Sequence, residues 1–208
     1  MDSETAADPV SREFEDSVFH PQSPNSRILS VALADGNRTV AIPLAWSGIW
    51  SRSGRVRLFE AFKSFLLSPG KKIAHNLPYE LTWLSYFLGD AILRGCAWTD
   101  TMAQAYALDE RKGMLGLGTL TYIEFGLDIK KLNLADVAKL EEGSLQDGLL
   151  YNGVDAKYTY KLWKRQQARI EQANLTHPLG HLTRTSATIA QMQNKGILVD
   201  SFILPAIS

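Results

Sequence analysis

The 208 residues suit one large domain or one and a half small ones, and a hydrophobic content of 45% is enough for a real core. Twenty-two basic residues against 22 acidic ones give zero formal charge, which argues against a strong non-specific duplex binder, although bound divalent cations can supply the positive charge a phosphate needs. Cys96 is the single cysteine, so no internal disulfide exists; with no membrane-spanning apolar run and no signal-peptide layout, the expectation is a soluble cytoplasmic protein without membrane partners.

In chain order, residues 6–26 are polar and punctuated by Pro9, Pro21 and Pro24, which predicts a long loop. Arg27 to Ala34 is an apolar β-rich run. Asp35-Gly36-Asn37 then separates it from Thr39 to Pro43, which predicts a β-hairpin. Val56, Leu58, Phe59, Phe62, Phe65 and Leu66 have helical spacing within Arg55 to Leu67, and Pro69-Gly70 stops that helix. Lys71 to Ala74 reads as a short strand. Tyr79 to Leu88 reads as a helix with Leu81, Leu84 and Phe87 inward. The neighbours Ile92, Leu93, Ala97 and Trp98 mark Cys96 as a buried structural thiol.

Asp100 caps a predicted helix through Leu108, and Leu117 to Phe125 forms another. Asn133 opens a helical turn that breaks at Glu141-Glu142-Gly143. Ser144 and Asp147 come close to a capping box, opening a long helix to about Asn174 that is apolar through Leu149, Leu150, Val154, Tyr158 and Leu162. A further helix spans Thr183 to Asn194 and ends at Lys195-Gly196. Strands come first and helices dominate later, so the fold class is α/β, a mixed β-sheet with an antiparallel hairpin, flanked by helices.

Three acidic motifs can carry chemistry. Asp2 and Glu4 are two apart, so on a strand their side chains share a face; a solvated acidic N-terminus explains them as well. Glu80 lies in the first turn of a predicted helix after His75-Asn76-Leu77-Pro78-Tyr79, where a carboxylate also simply suits the helix dipole. Tyr151 and Asp155 are four apart on one helical face, where a core aromatic beside a surface acid is the bland alternative. Taken together, the four carboxylates suit phosphodiester hydrolysis with two Mg²⁺ or Mn²⁺ ions about 3.5–4 Å apart. No second histidine lies at zinc-motif spacing from His75.

On these motifs the chain resembles the proofreading 3′→5′ exonuclease domain of family A DNA polymerases, in the DEDD superfamily with an RNase H-like fold. Asp2-Ser3-Glu4-Thr5 is similar to its first motif, Asn76-Leu77-Pro78-Tyr79-Glu80 to its second, and Tyr151-Asn152-Gly153-Val154-Asp155 to its third, tyrosine-type motif. Arg27 to Ala34, Trp98 to Met102 and Leu115 to Leu120 resemble the flanking text, and Met192 to Asp200 resembles the start of the polymerase portion. The resemblance implies an exonuclease domain over 1–176 and a truncated start of the polymerase domain over 177–208. It also implies a bacterial or phage setting, with the rest of the polymerase chain as partner. Asp2, Glu4, Glu80 and Asp155 would bind two ions, Tyr151 would position a water, and Thr5 and Asn76 would touch the 3′ end of single-stranded DNA.

The sequence departs from the pattern at two points. Glu80 stands where the family has aspartate, and one methylene displaces a carboxylate by roughly an ångström, enough to matter for a two-metal site. The first motif opens the sequence, and an alternative register places it at Glu13-Phe14-Glu15; Asp2/Glu4 is preferred because its match is complete. A catalytically inactive scaffold and an RNase of the same superfamily are the competing functions.

Overall fold

A computed structural model describes residues 1–6, 20–23, 25–111, 113–129 and 144–197, with the backbone alone at residues 2 and 4–6. Strand β1 (Asp2–Ala6) pairs antiparallel with β2 (Arg27–Ala34), and β2 with β3 (Thr39–Pro43). Strands β4 (Lys71–Ala74) and β5 (Ala97–Asp100) pair in parallel. The Met1 backbone nitrogen donates to Ile73 O at 2.7 Å, which sets β4 beside β1. The hairpin turn is tied by Asp35, whose carboxylate accepts from Asn37 N and Arg38 N at 2.9 Å each.

The two faces of the antiparallel strands differ because side chains alternate along a strand. Val31 and Ile42, paired in register, belong to the main core with Phe62 and Leu66 of α1 (Arg52–Leu67) and Leu77, Leu81 and Leu84 of α2 (Leu77–Leu88). Ala32 and Ala41, also paired, lie on the other face. These small side chains let α6 (Leu145–Gln172) approach closely: a Cβ on Gly153 would lie 3.6 Å from Thr39 and 4.0 Å from Ala41. Short α3 (Ala91–Gly95), α4 (Thr101–Leu108) and α5 (Leu117–Phe125) complete the flanks, and α7 (Thr176–Lys195) packs on α2. The result is the mixed α/β, RNase H-like layering expected.

Several local expectations change. Helix α1 starts at Arg52 because the Ser51 side chain caps it through Gly54 N, and both Val56 and Phe65 are exposed. Helix α2 starts at Leu77. Helix α7 starts at Thr176, seven residues before the expected Thr183, because Pro178 falls in the first turn, where its missing N–H costs nothing. The buried stripe of α6 is Gly148, Asn152, Ala156, Thr159, Leu162, Gln166 and Ile170: Leu162 is buried as expected, Leu150 is exposed, and small side chains rather than Leu149 and Leu150 meet the alanine-lined sheet. Ser144 makes no side-chain cap bond. Cys96 is half-buried, its thiol donating to Leu66 O at 3.0 Å and its pKa pushed up by burial.

Most of the expected 6–26 loop, the Asn133 turn, the Glu141-Glu142-Gly143 break, the Glu13/Glu15 register and Leu198 to Asp200 lie outside the described residues. No helix among the described residues is long and apolar enough to cross a membrane.

Candidate active site

Glu80 is brought to its position by the β4–α2 connection. Asn76 takes a left-handed backbone (φ 58°), which asparagine tolerates better than most residues, and turns the chain sharply into α2. Buried Asp100 fixes this turn: it accepts from Asn76 N and Leu77 N at 3.1 Å each while capping α4 through Met102 N at 2.9 Å. The Asn76 side chain makes no cap bond to α2, and the residue is exposed at the helix mouth. His75 is held by Thr101 Oγ1 at 2.9 Å, and burial pulls its pKa down to about 4, so it is a neutral structural group at ordinary pH.

Glu80 itself is 2% exposed, and its Oε2 accepts a hydrogen bond from Ser3 Oγ at 2.6 Å. Burial pushes its pKa up to about 7; the Ser3 bond opposes the rise, and the Asp100 charge adds to it. Ser3 sits between the two first-motif acids and stands opposite Val31 in the register, so it faces the α1/α2 side of the sheet. Asp2 and Glu4 stand opposite Ala32 and Ser30, and the register slips between Glu4 and Thr5. Asp2, Glu4 and Thr5 are described in backbone only.

Tyr151 and Asp155 come from α6, on the opposite face of the sheet from α2. A hydrogen bond from the Tyr151 phenol joins the half-buried pair as the spacing predicts; burial raises the Asp155 pKa to about 6, and that bond holds it down. Strand β1 therefore runs between helices carrying the second- and third-motif acids: Glu80 touches β1 through Ser3, and α6 packs along β1 from the other side. Among the described residues no three His, Cys, Asp or Glu side chains form a metal-holding group.

Glu80 and Asp155 nevertheless suit a hard cation. Both are oxygen donors whose negative charge is costly where it sits, and a divalent ion would relieve that cost. Sequence reasoning missed two contributors. Ser3 binds Glu80 across 77 residues of sequence, and Asp100 bonds the second motif's backbone besides capping α4. The sequence marked Asp100 as the cap of α4 and as part of the Trp98-Thr99-Asp100-Thr101-Met102 stretch, but carried no sign of its bonds to Asn76 and Leu77.

A family profile described as 3′-5′ exonuclease matches residues 3–171, a span that contains Glu4, Glu80, Tyr151 and Asp155 and begins one residue after Asp2. Comparison with curated proteins and with solved structures gave no match.

Proposed function

Since the chain belongs to the 3′-5′ exonuclease family, the proofreading exonuclease domain of family A DNA polymerases, we propose that it removes nucleotides from the 3′ end of single-stranded DNA with the help of Mg²⁺ or Mn²⁺. The observation that carries this reading is the Tyr151–Asp155 hydrogen bond, within a family match that also contains Glu80. Asp155 and Glu80, with Asp2 and Glu4 from β1, would hold two ions. Such ions supply a nucleophile at neutral pH and offset charge on the attacking and leaving oxygens.

The chain's own groups then have separable tasks. The Tyr151 phenol orients the Asp155 carboxylate and lowers its pKa, keeping it ionised near neutrality, and its oxygen can accept a hydrogen bond from a water. Asn76, free of capping duty at the mouth of α2, presents an amide to the terminal nucleotide, and Thr5 is the matching contact from β1. Asp100 keeps the Asn76–Leu77 turn in place. We further propose that 1–176 is the exonuclease unit and that 177–208 leads into a polymerase portion.

The test is nucleotide release from a single-stranded DNA oligomer labelled at its 3′ end, with Mg²⁺ or Mn²⁺ against EDTA, for wild type and Asp155→Asn. Metal-dependent release of mononucleotides that the substitution abolishes is the expected outcome; undiminished cleavage by Asp155→Asn would remove Asp155 from the mechanism. A second reading, a non-catalytic scaffold, draws on the Ser3–Glu80 bond, because a carboxylate engaged by a hydroxyl is less free to bind a cation. Calorimetric metal titration without a tight second site would favour the scaffold.

A further inference from the structure

Helix α6 changes character after Asp155. From Lys157 to Arg169 it carries Lys157, Lys161, Lys164, Arg165 and Arg169 and no acid, in a chain of zero net charge. Arg165 and Arg169 are tied to Glu124 at 3.0 and 2.6 Å. The three lysines are exposed, and none is paired with an acid of a described residue.

Aromatic rings are interleaved with these cations. Lys161 Nζ lies 5.0 Å from the Tyr158 ring centre, and the Arg165 guanidinium 5.5 Å from that of Phe125. Lys71 Nζ lies 5.6 Å from the Trp163 ring, which is itself 5.7 Å from Tyr160.

Three concavities meet at Tyr160. One of about 690 Å³ is walled by Phe65, Tyr160 and Trp163 with Lys71 and Arg38 at its edge. One of about 480 Å³ lies between the β2–β3 turn and α6, with Lys157 and Lys161. The third, about 500 Å³, opens beside Phe125, Lys164 and Arg165. Among the described residues lining them the acid is Asp35, whose carboxylate is already occupied by the turn backbone. Cations that neutralise phosphates, beside ring-walled hollows that accept an unpaired base, are the two components of a single-strand site; a paired base offers no free face to such a hollow.

We propose that this face of α6 is a second contact for single-stranded DNA, outside the cleavage site, with Lys157, Lys161 and Lys164 on backbone phosphates and bases entering the hollows around Tyr160 and Trp163. Lys164 lies nine residues beyond Asp155, about 14 Å along the helix and about half a turn round it, so a strand whose end is at Asp155 must cross over α6 to reach it. The direction of the strand and the choice of DNA over RNA rest on the exonuclease reading; the single-strand contact itself does not.

The experiment is fluorescence anisotropy of a labelled oligothymidine in EDTA, where no metal-dependent cleavage occurs, over a range of salt concentrations. The triple variant Lys157→Gln/Lys161→Gln/Lys164→Gln changes exposed side chains alone, and circular dichroism confirms its fold. Binding about tenfold weaker is expected, with a log K against log salt slope shallower by about 2, since each single-strand phosphate contact contributes about 0.7. The triple Lys→Arg variant is expected to retain binding. Unchanged affinity and slope in the glutamine variant would overturn the proposal, and so would tighter binding of the matching RNA strand. Because no cleavage is read, a failure of the exonuclease reading leaves this result standing, and a failure here leaves nucleotide release at the site of Asp155 intact.

Discussion

At the scale of single residues, carboxyls whose pKa burial raises, Glu80, Asp100 and Asp155, set much of the pH behaviour. A carboxyl whose folded pKa lies above its unfolded value stabilises the fold fully below the unfolded value and loses that stabilisation as pH rises through the folded one. Glu80, moved from 4.5 to about 7, therefore weakens the metal-free protein progressively between those values. His75, moved from 6.5 down to about 4, acts with the opposite sign, its stabilisation being lost as pH falls, while Asp100 and Asp155 act in the same sense as Glu80, so the raw profile mixes opposing contributions. The difference between wild type and Glu80→Gln isolates the carboxylate: the substitution is expected to be more favourable to melting temperature at pH 8 than at pH 5, and a pH-independent difference would contradict the burial argument. Tyr151→Phe removes the bond that holds Asp155 down, so the acid limb of the pH–rate profile is expected to move to higher pH along with a loss of rate. The Tyr151/Asp155 pairing was legible because an i, i+4 relation is a property of the helix alone. Ser3 was not: its partner lies on another element, and only the folded register turns it towards α2.

At the scale of elements, the hairpin turn depends on a glycine. Gly36 has φ +95°, and a Cβ there would meet the Tyr160 ring at 2.5 Å. Gly36→Ala is thus expected to cost about 1–3 kcal/mol, from backbone strain and from displacement of Tyr160, read as a lower denaturant midpoint at unchanged slope. The hairpin, β4, α4 and α5 were legible with their bounds, since alternation, turn residues and the Asp100 cap are local signals. Two elements passed unseen. Ala91–Gly95 is barely more than one turn, and Ala97–Asp100 has neither β-branched enrichment nor a polar–apolar alternation; its pairing with β4 makes it a strand. The face of α6 was misjudged because a helix lying on alanines buries its own small and polar side chains, which a count of leucines cannot reveal.

At the scale of the whole molecule, α7 is stitched to α2. Thr82 Oγ1 donates to Gln193 Oε1 at 2.5 Å, and Asn194 Nδ2 reaches Thr82 O and Ser85 Oγ at 2.9 Å each. Asn194→Ala leaves those acceptors without their donor and is expected to cost about 1–3 kcal/mol, measured by thermal unfolding. A chain ending at residue 175 would expose the side of α2 that carries buried Thr82 and Ser85 and should melt at a lower temperature still; equal melting would mean that α7 adds nothing to the stability of the preceding residues. The same stitching has a mechanical side. Thr82 is two residues from Glu80 on a single rigid helix, so whatever follows Lys195 holds a handle on the second-motif carboxylate. A displacement of α7 would be carried through Asn194 into α2, the helix whose first turn holds Glu80 against Ser3. Through Asn194 and Gln193, the end of α7 is thus joined by hydrogen bonds to the helix that carries Glu80.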